Sequence, residues 1–172
     1  MRSFLAIEPD SLEPIAPLVS YLGGFPFLRV PKGENIHMTL IFFEDITEKK
    51  AVQVCEALST MRFQGFSCDF DRLTCFPSGK KCRVVVLECT SPEAHEIYRK
   101  ITGNVVKDPS DRNFRAHLTV ARTKAPIPPE SYNAMMEYRF QSRIRFNRLT
   151  LFRSNLTSKG PVYDRICSYQ LM

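Results

Sequence analysis

The sequence contains no apolar run that could cross a membrane. A transmembrane helix needs about 20 consecutive apolar residues, whereas the longest uncharged stretch near the start, residues 14–28, is interrupted by prolines and a glycine pair. The first residues also lack the pattern of a secretory signal. Only residues 3–7 separate Arg2 from the acidic Glu8, whereas an h-region has roughly 7–15 apolar residues. We therefore expect no membrane association and a cytoplasmic location.

The sequence likewise lacks the cysteine patterns of common metal sites. Six cysteines are present, but none forms a C-x-x-C pair, and they do not cluster with the three histidines at metal-ligand spacing. Several stand among apolar residues, as Cys82 and Cys89 do at the two ends of an apolar segment. We read the cysteines as reduced, small core or strand residues of a cytosolic protein.

The composition is that of a globular protein with an uneven charge. The 172 residues are 44% hydrophobic and 24% charged, which suits one domain, or two small lobes that share one core. Residues 1–110 hold 13 basic and 14 acidic residues, whereas residues 111–172 hold 11 basic and 4 acidic residues, and nine of those 11 are arginines. Arginine binds phosphate in a bidentate manner, so the excess fits an anionic ligand, and it fits a basic solvated surface equally well.

The order of predicted elements repeats once along the chain. Each half reads as strand, helix, strand, helix, strand, and the middle strand carries a histidine. Predicted strands cover residues 3–7, 66–76, 82–89, 143–152 and 162–171 besides the two histidine strands, and predicted helices follow Ser11 and Ser91 and cover 47–61 and 128–138. His37 and His117 lie 80 residues apart, as do the two capping serines. We infer one α+β domain over 1–172 with approximate repeats 1–78 and 79–172, in which two pseudo-symmetric lobes each have an antiparallel or mixed sheet with outer helices.

Two of the three histidines begin the same pattern, His-x-Thr followed by an apolar residue. Chance would give this arrangement roughly 1% of the time in a chain with ten threonines. Side chains alternate between the faces of a strand. The pattern therefore predicts two polar rows, each backed by apolar residues that face a core. The rows are Asn35, His37 and Thr39 in the first copy and Arg115, His117 and Thr119 in the second.

Two such rows facing each other would form an acid–base site. The ordinary histidine pKa of about 6.5 allows one imidazole to be neutral while the other is protonated near pH 7. Phosphodiester cleavage needs a base and an acid on opposite sides of phosphorus. Thr39 and Thr119 can donate hydrogen bonds to the non-bridging oxygens, and Arg115 can stabilise the growing charge. Neither motif contains a carboxylate, so we expect chemistry without a metal or another cofactor.

The sequence resembles the two-histidine phosphoesterases, specifically the LigT-like RNA 2′,3′-cyclic phosphodiesterases, also called 2′-5′ RNA ligases. The resemblance covers essentially the whole chain and includes residues 1–7, 34–40, 114–122, 151–156 and 160–163. Two departures are the segment Phe42-Phe-Glu-Asp45, where the family usually has Phe-Leu-Gly, and Ala116, where proline is common. Neither departure falls on the polar rows.

The resemblance implies a function as well as a fold. The cleft between the lobes would hydrolyse a 2′,3′-cyclic phosphate at an RNA end to a 2′-phosphate, with His37 as the proton donor to O3′ and His117 as the acceptor that activates water. The family name also implies the reverse 2′-5′ ligation. The residues alone do not order the two histidines, because the motifs are near copies. The expected partners are RNA 2′,3′-cyclic phosphate ends or cyclic nucleotides, bound by a monomer.

Three other candidate residues, Arg122, Tyr163 and Phe114, have two interpretations each. Arg122 lies at odd spacing from His117, so it should leave the cleft face unless the strand ends before it. Tyr163 and Phe114 can stack on a base, or they can pack into the core. His95 stands between two glutamates on a helix and is read as solvated.

A different function class is a nucleotide- or RNA-binding module without turnover. The two intact His-x-Thr motifs argue against it.

Overall fold

The computed structural model describes residues 1–106 and 113–172. The strands are β1 Ser3–Pro9, β2 Leu28–Arg29, β3 Met38–Phe43, β4 Phe66–Arg72, β5 Thr74–Phe76, β6 Val84–Glu88, β7 His117–Thr123, β8 Arg139–Thr157 and β9 Gly160–Gln170. The α-helices are α1 Ala16–Gly23, α2 Glu48–Ser59, α3 Pro92–Asn104 and α4 Pro129–Glu137. Within the described ranges, no helix is long and apolar enough to span a bilayer.

The strands form two antiparallel sheets, which confirms the predicted α+β class. The first sheet has the order β3-β1-β8-β4, and β9 pairs with β8; the second has the order β2-β7-β6-β5. Strands β2 and β5 come from the first half of the chain but lie in the sheet of β6 and β7. Strands β8 and β9 come from the second half but join β1, β3 and β4. The sheets therefore exchange strands between the sequence halves, and residue 78 does not separate them.

The core is continuous across both sheets and the helices. Leu5 and Ile7 of β1, Leu87 of β6 and Leu118 of β7 are fully buried members of one apolar cluster. The opposite face of β1 belongs to a second, smaller cluster formed by Phe4, Ala6 and Phe152, with Tyr163 packed against it. Strand β1 is thus buried on both faces, which explains why its sequence reads as an unbroken apolar run.

The two predicted helix caps have different outcomes. Ser91 caps α3 as predicted, because its hydroxyl accepts a hydrogen bond from the Ala94 N–H at 3.1 Å and Pro92 occupies the first turn. Ser11 does not cap α1. It accepts from the Glu13 N–H at 3.2 Å ahead of a 3₁₀ turn at Glu13–Ile15, and α1 begins only at Ala16. A proline inside a helix removes a backbone donor, so Pro17 is accommodated near the start of α1.

The prediction that all six cysteines are reduced is wrong for four of them. Disulfides join Cys55 to Cys167 and Cys75 to Cys82. Cys68 and Cys89 are free thiols whose Sγ atoms lie 2.9 Å apart. Cys55 lies on α2 and Cys167 on β9, so their pairing depends on how the helix packs on the sheet. Disulfides are rare in reducing cytosol except in hyperthermophiles, which weakens the cysteine argument for a cytoplasmic location.

Candidate active site

A β-bulge follows each His-x-Thr motif at the same position. In the pairing of β1 with β3, Ala6 pairs with Thr39 and Leu5 with Ile41, so Leu40 is the extra residue. In the pairing of β6 with β7, Val86 pairs with Thr119 and Val85 with Ala121, so the extra residue is the one that follows the second motif's threonine. A bulge shifts the alternation of side chains by one residue. Consequently, the third residue after each threonine shares the face of the histidine.

The third residues after the two threonines are Phe42 and Arg122. The expectation that Arg122 leaves the cleft face is therefore wrong, because the strand continues to Thr123 and the bulge reverses the parity. The charge of Arg122 lowers the pKa of both His37 and Tyr163, which places its guanidinium near both rings. Phe42 packs near Phe4, with ring centroids 6.1 Å apart, and half of its surface is exposed.

His37 lies just before β3 in an aromatic environment. Its ring stacks on Phe4 at 4.7 Å and meets the edge of Tyr163 at 5.6 Å. Burial lowers the pKa of His37 to about 4, against the opposing effects of a hydrogen bond to the Asn35 backbone and the charge of Glu8. The charges of Arg122 and His117 lower it further. His37 is thus neutral at pH 7 in the unliganded protein, contrary to the expectation of an ordinary histidine pKa.

His117 is the first residue of β7, and its backbone contact fixes its tautomer. Its Nδ1 lies 2.7 Å from the carbonyl oxygen of Arg115. Because a carbonyl oxygen only accepts, Nδ1 carries the hydrogen of the neutral ring, and Nε2 is the nitrogen that can take up a proton. His37 forms the corresponding hydrogen bond to Asn35, which also lies two residues earlier. The two histidines are close enough for the charge of His117 to affect the pKa of His37.

The two threonines lie on the same faces as their histidines. Thr39 and Thr119 are partly buried, between buried neighbours that pack into the core. Tyr163 packs edge-on against Phe4 at 4.8 Å, and burial raises its pKa. The structure therefore brings His37, Arg122 and Tyr163 together, with Thr39 on the face of His37, and the charge of His117 acts on His37. In the described part of the chain, no group of three or more His, Cys, Asp or Glu side chains is arranged to hold a metal ion.

Arg115 and Phe114 lie at the edge of this cluster. Arg115 forms an ion pair with Glu88 and lies 4.6 Å above the ring of Phe76. Phe76 in turn meets His117 edge-on at 5.9 Å. Phe114 stacks on Tyr98 at 5.0 Å, which favours its interpretation as a packing residue.

His95 is not the solvated residue that the sequence predicts. Its Nδ1 lies 2.9 Å from the carbonyl oxygen of Ser91, and its ring packs against Phe114 at 5.0 Å. His95 lies one residue away from the apolar face of the helix, so its ring can still pack against the ring of Phe114.

Sequence reasoning missed three residues on the cleft face of the first sheet: Phe4, Phe152 and Glu8. Glu8 is buried and accepts hydrogen bonds from Thr150 and Arg165. Burial alone would raise the pKa of Glu8, but the hydrogen bonds from Arg165 and Thr150 outweigh burial and hold it below the ordinary value. An acidic residue that ends an otherwise apolar strand was the available signal.

A cavity of about 1050 Å³ lies between the sheets beside His117. Its walls include Asp69 and Arg143 from the first sheet and Glu88 and Arg115 from the second. Glu88 is the direct strand partner of His117. The cavity therefore lies next to the strand pair of Glu88 and His117, although neither His37 nor His117 is among its lining residues.

Comparison with known proteins gives the family. The family model of the 2′-5′ RNA ligase superfamily matches residues 30–157. A curated RNA 2′,3′-cyclic phosphodiesterase of Archaeoglobus fulgidus is 31% identical over 172 residues, covering 95% of this chain and 96% of its own. A protein with the same name from Methanothermobacter thermautotrophicus is 30% identical, and 99% of each chain is covered.

Solved structures share the fold. A Thermus thermophilus protein matches with a TM-score of 0.78 at 22% identity, covering 99% of this chain and 98% of its own. E. coli LigT complexed with 3′-AMP matches with a TM-score of 0.74 at 20% identity, covering 99% of this chain and 97% of its own. These identities establish the fold alone, whereas the family model and the curated relatives establish the family. The chain belongs to the 2′-5′ RNA ligase superfamily.

Proposed function

We propose that the protein hydrolyses the 2′,3′-cyclic phosphate at RNA ends to a 2′-phosphate. The observation that supports the proposal is the pair of His-x-Thr strands: each has a bulge directly after its threonine, and the charge of His117 acts on the pKa of His37. The curated relatives named RNA 2′,3′-cyclic phosphodiesterase, at 28–31% identity, support the same reaction. A module that only binds nucleotides is not favoured, because both motifs are intact in a family with these enzymes.

The family resemblance assigns His37 as the proton donor and His117 as the acceptor, and the free Nε2 of His117 suits the second role. Nε2 of His117 takes a proton from water while the water oxygen forms a bond to phosphorus. The bond between phosphorus and O3′ breaks on the opposite side, and protonated His37 gives its proton to O3′. The product carries a 2′-phosphate and a free 3′-hydroxyl. A 5′-hydroxyl in place of water would give a 2′-5′ linkage by the same transfers.

His37 must acquire its proton when the substrate binds. Its pKa of about 4 leaves it neutral in the unliganded protein at pH 7. A bound phosphodiester places a negative charge next to the ring, and a nearby opposite charge favours the protonated form. Substrate binding therefore protonates His37, the acid that the reaction needs.

The neighbouring side chains stabilise the charge on phosphate. The hydroxyls of Thr39 and Thr119 donate to the non-bridging oxygens, and Arg122 supplies a positive charge on the His37 side. Asn35 orients His37 through its backbone. Tyr163 offers a partly exposed edge for a base beside His37. Arg115 is paired with Glu88 in the unliganded protein.

A turnover assay on 2′,3′-cyclic AMP and on RNA with a 2′,3′-cyclic phosphate end tests the proposal. His37→Ala and His117→Ala should each lose about 10²–10⁴-fold in rate, the usual contribution of an acid–base residue. His95→Ala is the matched control on the mononucleotide, because its ring is held by Ser91 and Phe114. Phosphorus NMR identifies the product; a 3′-phosphate, or a nearly unchanged rate in either catalytic variant, contradicts the mechanism.

Two sequence predictions stay predictions. The monomeric state is tested by light scattering on the purified protein. The cytoplasmic location is tested by fractionating cells that express the chain.

A further inference from the structure

The arginine excess of the last third of the chain is concentrated on β8. The strand carries Arg139, Arg143, Arg145, Arg148 and Arg153. The apolar residues of β8 that pack into the core include Ile144, Phe146 and Leu149, all of them buried. Side chains alternate along a strand, so the arginines next to these residues lie on the opposite face.

The step between Arg145 and Arg148 spans three residues because β8 carries a bulge there. Glu8 pairs with Arg148 and Pro9 pairs with Phe146, which makes Asn147 the extra residue. The bulge shifts the alternation by one position. Arg143, Arg145 and Arg148 therefore form one row on a single face of β8.

This row begins on the cleft face next to the catalytic cluster. Arg148 is the direct strand partner of Glu8, and its charge contributes to the lowered pKa of that carboxyl. Glu8 accepts a hydrogen bond from Thr150, so all three share a face. Ala6 pairs with Thr150 on one side and with Thr39 on the other. The row therefore starts on the same face of the sheet as Thr39. Strand β1 lies between β8, which carries the row, and β3, which carries Thr39.

The row ends in the cavity beside His117. Arg143 and its partner Asp69 line this cavity from the first sheet, and Arg115 and Glu88 line it from the second. All three arginines of the row are exposed. Among residues 1–106 and 113–172, no carboxylate lies within ion-pair distance of Arg145 or Arg148. Two guanidinium groups that form no ion pair are suited to an anion, although the charge of Arg148 also acts on Glu8.

We propose that Arg148, Arg145 and Arg143 form a track for the RNA strand on the 5′ side of the cyclic phosphate. Arginines two residues apart on a strand recur every ~7 Å, a spacing suited to successive phosphates of an extended single strand. The inference rests on the proposed function and narrows its substrate: the enzyme acts on RNA chains in preference to free cyclic nucleotides. The arginine excess in the sequence then has a specific role in the cleft.

The test compares two substrates in one double variant. The Arg145→Ala/Arg148→Ala enzyme is assayed on a single-stranded RNA octamer with a 2′,3′-cyclic phosphate end and on 2′,3′-cyclic AMP. We expect kcat/KM for the octamer to fall about tenfold or more, since the variant loses charge-assisted hydrogen bonds to two phosphates. We expect kcat/KM for 2′,3′-cyclic AMP to stay within about twofold of wild type, because a mononucleotide does not reach the row.

The matched control is Arg153→Ala. This residue lies on the same strand but interacts with Glu48 and the Met1 sulfur. It loses one arginine charge, as the single variants Arg145→Ala and Arg148→Ala do, and it leaves the track intact. Octamer binding is also measured against salt concentration. Each lost phosphate contact on a single strand should reduce the slope of log affinity against log salt by about 0.7. The Arg145→Lys/Arg148→Lys enzyme should keep the wild-type slope.

The outcomes separate the track from the proposed function. If wild-type protein cleaves neither substrate, the proposed function fails; the track is then judged by the salt slope with an octamer that ends in a 2′-phosphate. If the alanine variant loses activity equally on both substrates, or on neither, the track is wrong. An unchanged salt slope in the alanine variant also overturns it.

Discussion

Ligand binding should raise the pKa of His37 by about three units. Burial holds the pKa of this residue at about 4 in the unliganded protein. A proton donor at pH 7 needs a pKa near 7, and a difference of about three units corresponds to about 4 kcal/mol. A single negative charge about 4 Å from the ring supplies about 4 kcal/mol at an effective dielectric constant of about 20. One phosphate is therefore sufficient to protonate His37.

The assay is an NMR titration of the histidine Cε1–H signals with and without saturating 2′-AMP. The chain has three histidines, so His95→Asn and His117→Asn variants assign the signals. The His37 signal should titrate near pH 4 in free protein and near pH 7 in the complex. Calorimetry at pH 6 in two buffers of different ionisation enthalpy should show an uptake of about one proton on binding.

The same shift predicts a kinetic signature. In the proposed mechanism, activity requires protonated His37, so the rate is lost as pH rises through its pKa. The pH dependence of kcat/KM reports the pKa values of the free enzyme, and the pH dependence of kcat reports those of the enzyme–substrate complex. The descending limb of kcat should therefore lie at higher pH than that of kcat/KM. A His37 signal that still titrates near pH 4 in the saturated complex, with no proton uptake, would refute the assignment of His37 as the donor.

The remaining predictions concern charge, metal, acid stability and a disulfide. Arg122→Gln should raise the pKa of free His37, measured by NMR, because it removes a positive charge; no change would contradict its cleft position. Activity should survive excess EDTA, and loss that a divalent ion restores would contradict the metal-free mechanism. Below pH 6.5 the unfolded chain binds a proton that His37 resists until about pH 4, so the free energy of unfolding should fall by up to about 3 kcal/mol across this window. Urea unfolding should show a smaller fall in His37→Gln. Cys167→Ser opens a loop of 112 residues and should lower the free energy of unfolding by about 5 kcal/mol, measured by urea unfolding without reductant.

The arrangement of the candidate catalytic residues could be predicted from the sequence because it depends on local patterns. Alternation within a strand is enough to place His37 with Thr39 and His117 with Thr119 on one face each. Helix α3 begins at Pro92 and is capped by Ser91, so its start depends on two neighbouring residues. These features require no information about which strands pair.

The features that depend on pairing could not be predicted. The side chain of Arg122 reaches the cleft only because Val120 is an extra residue opposite β6, and a bulge is a property of two strands together. Cys55 and Cys167 meet because α2 packs on β9. The exchange of β2 and β5 into the second sheet also depends on long-range contacts.

The asymmetry between the histidines also has its origin outside the motifs. Acid–base catalysis needs two groups with different proton affinities, yet the tetrapeptides, their backbone hydrogen bonds and their bulges are near copies. The difference is supplied by neighbours that do not repeat. Phe4 and Tyr163 bury His37, whereas Phe76 touches His117 only at an edge. The third residue after each threonine is Phe42 in one copy and Arg122 in the other, and the charge of that arginine acts on His37. The repeat therefore positions two equivalent rings. The unrepeated residues around His37 lower its pKa, so that in the proposed mechanism it takes up a proton at pH 7 only beside the negative charge of the substrate.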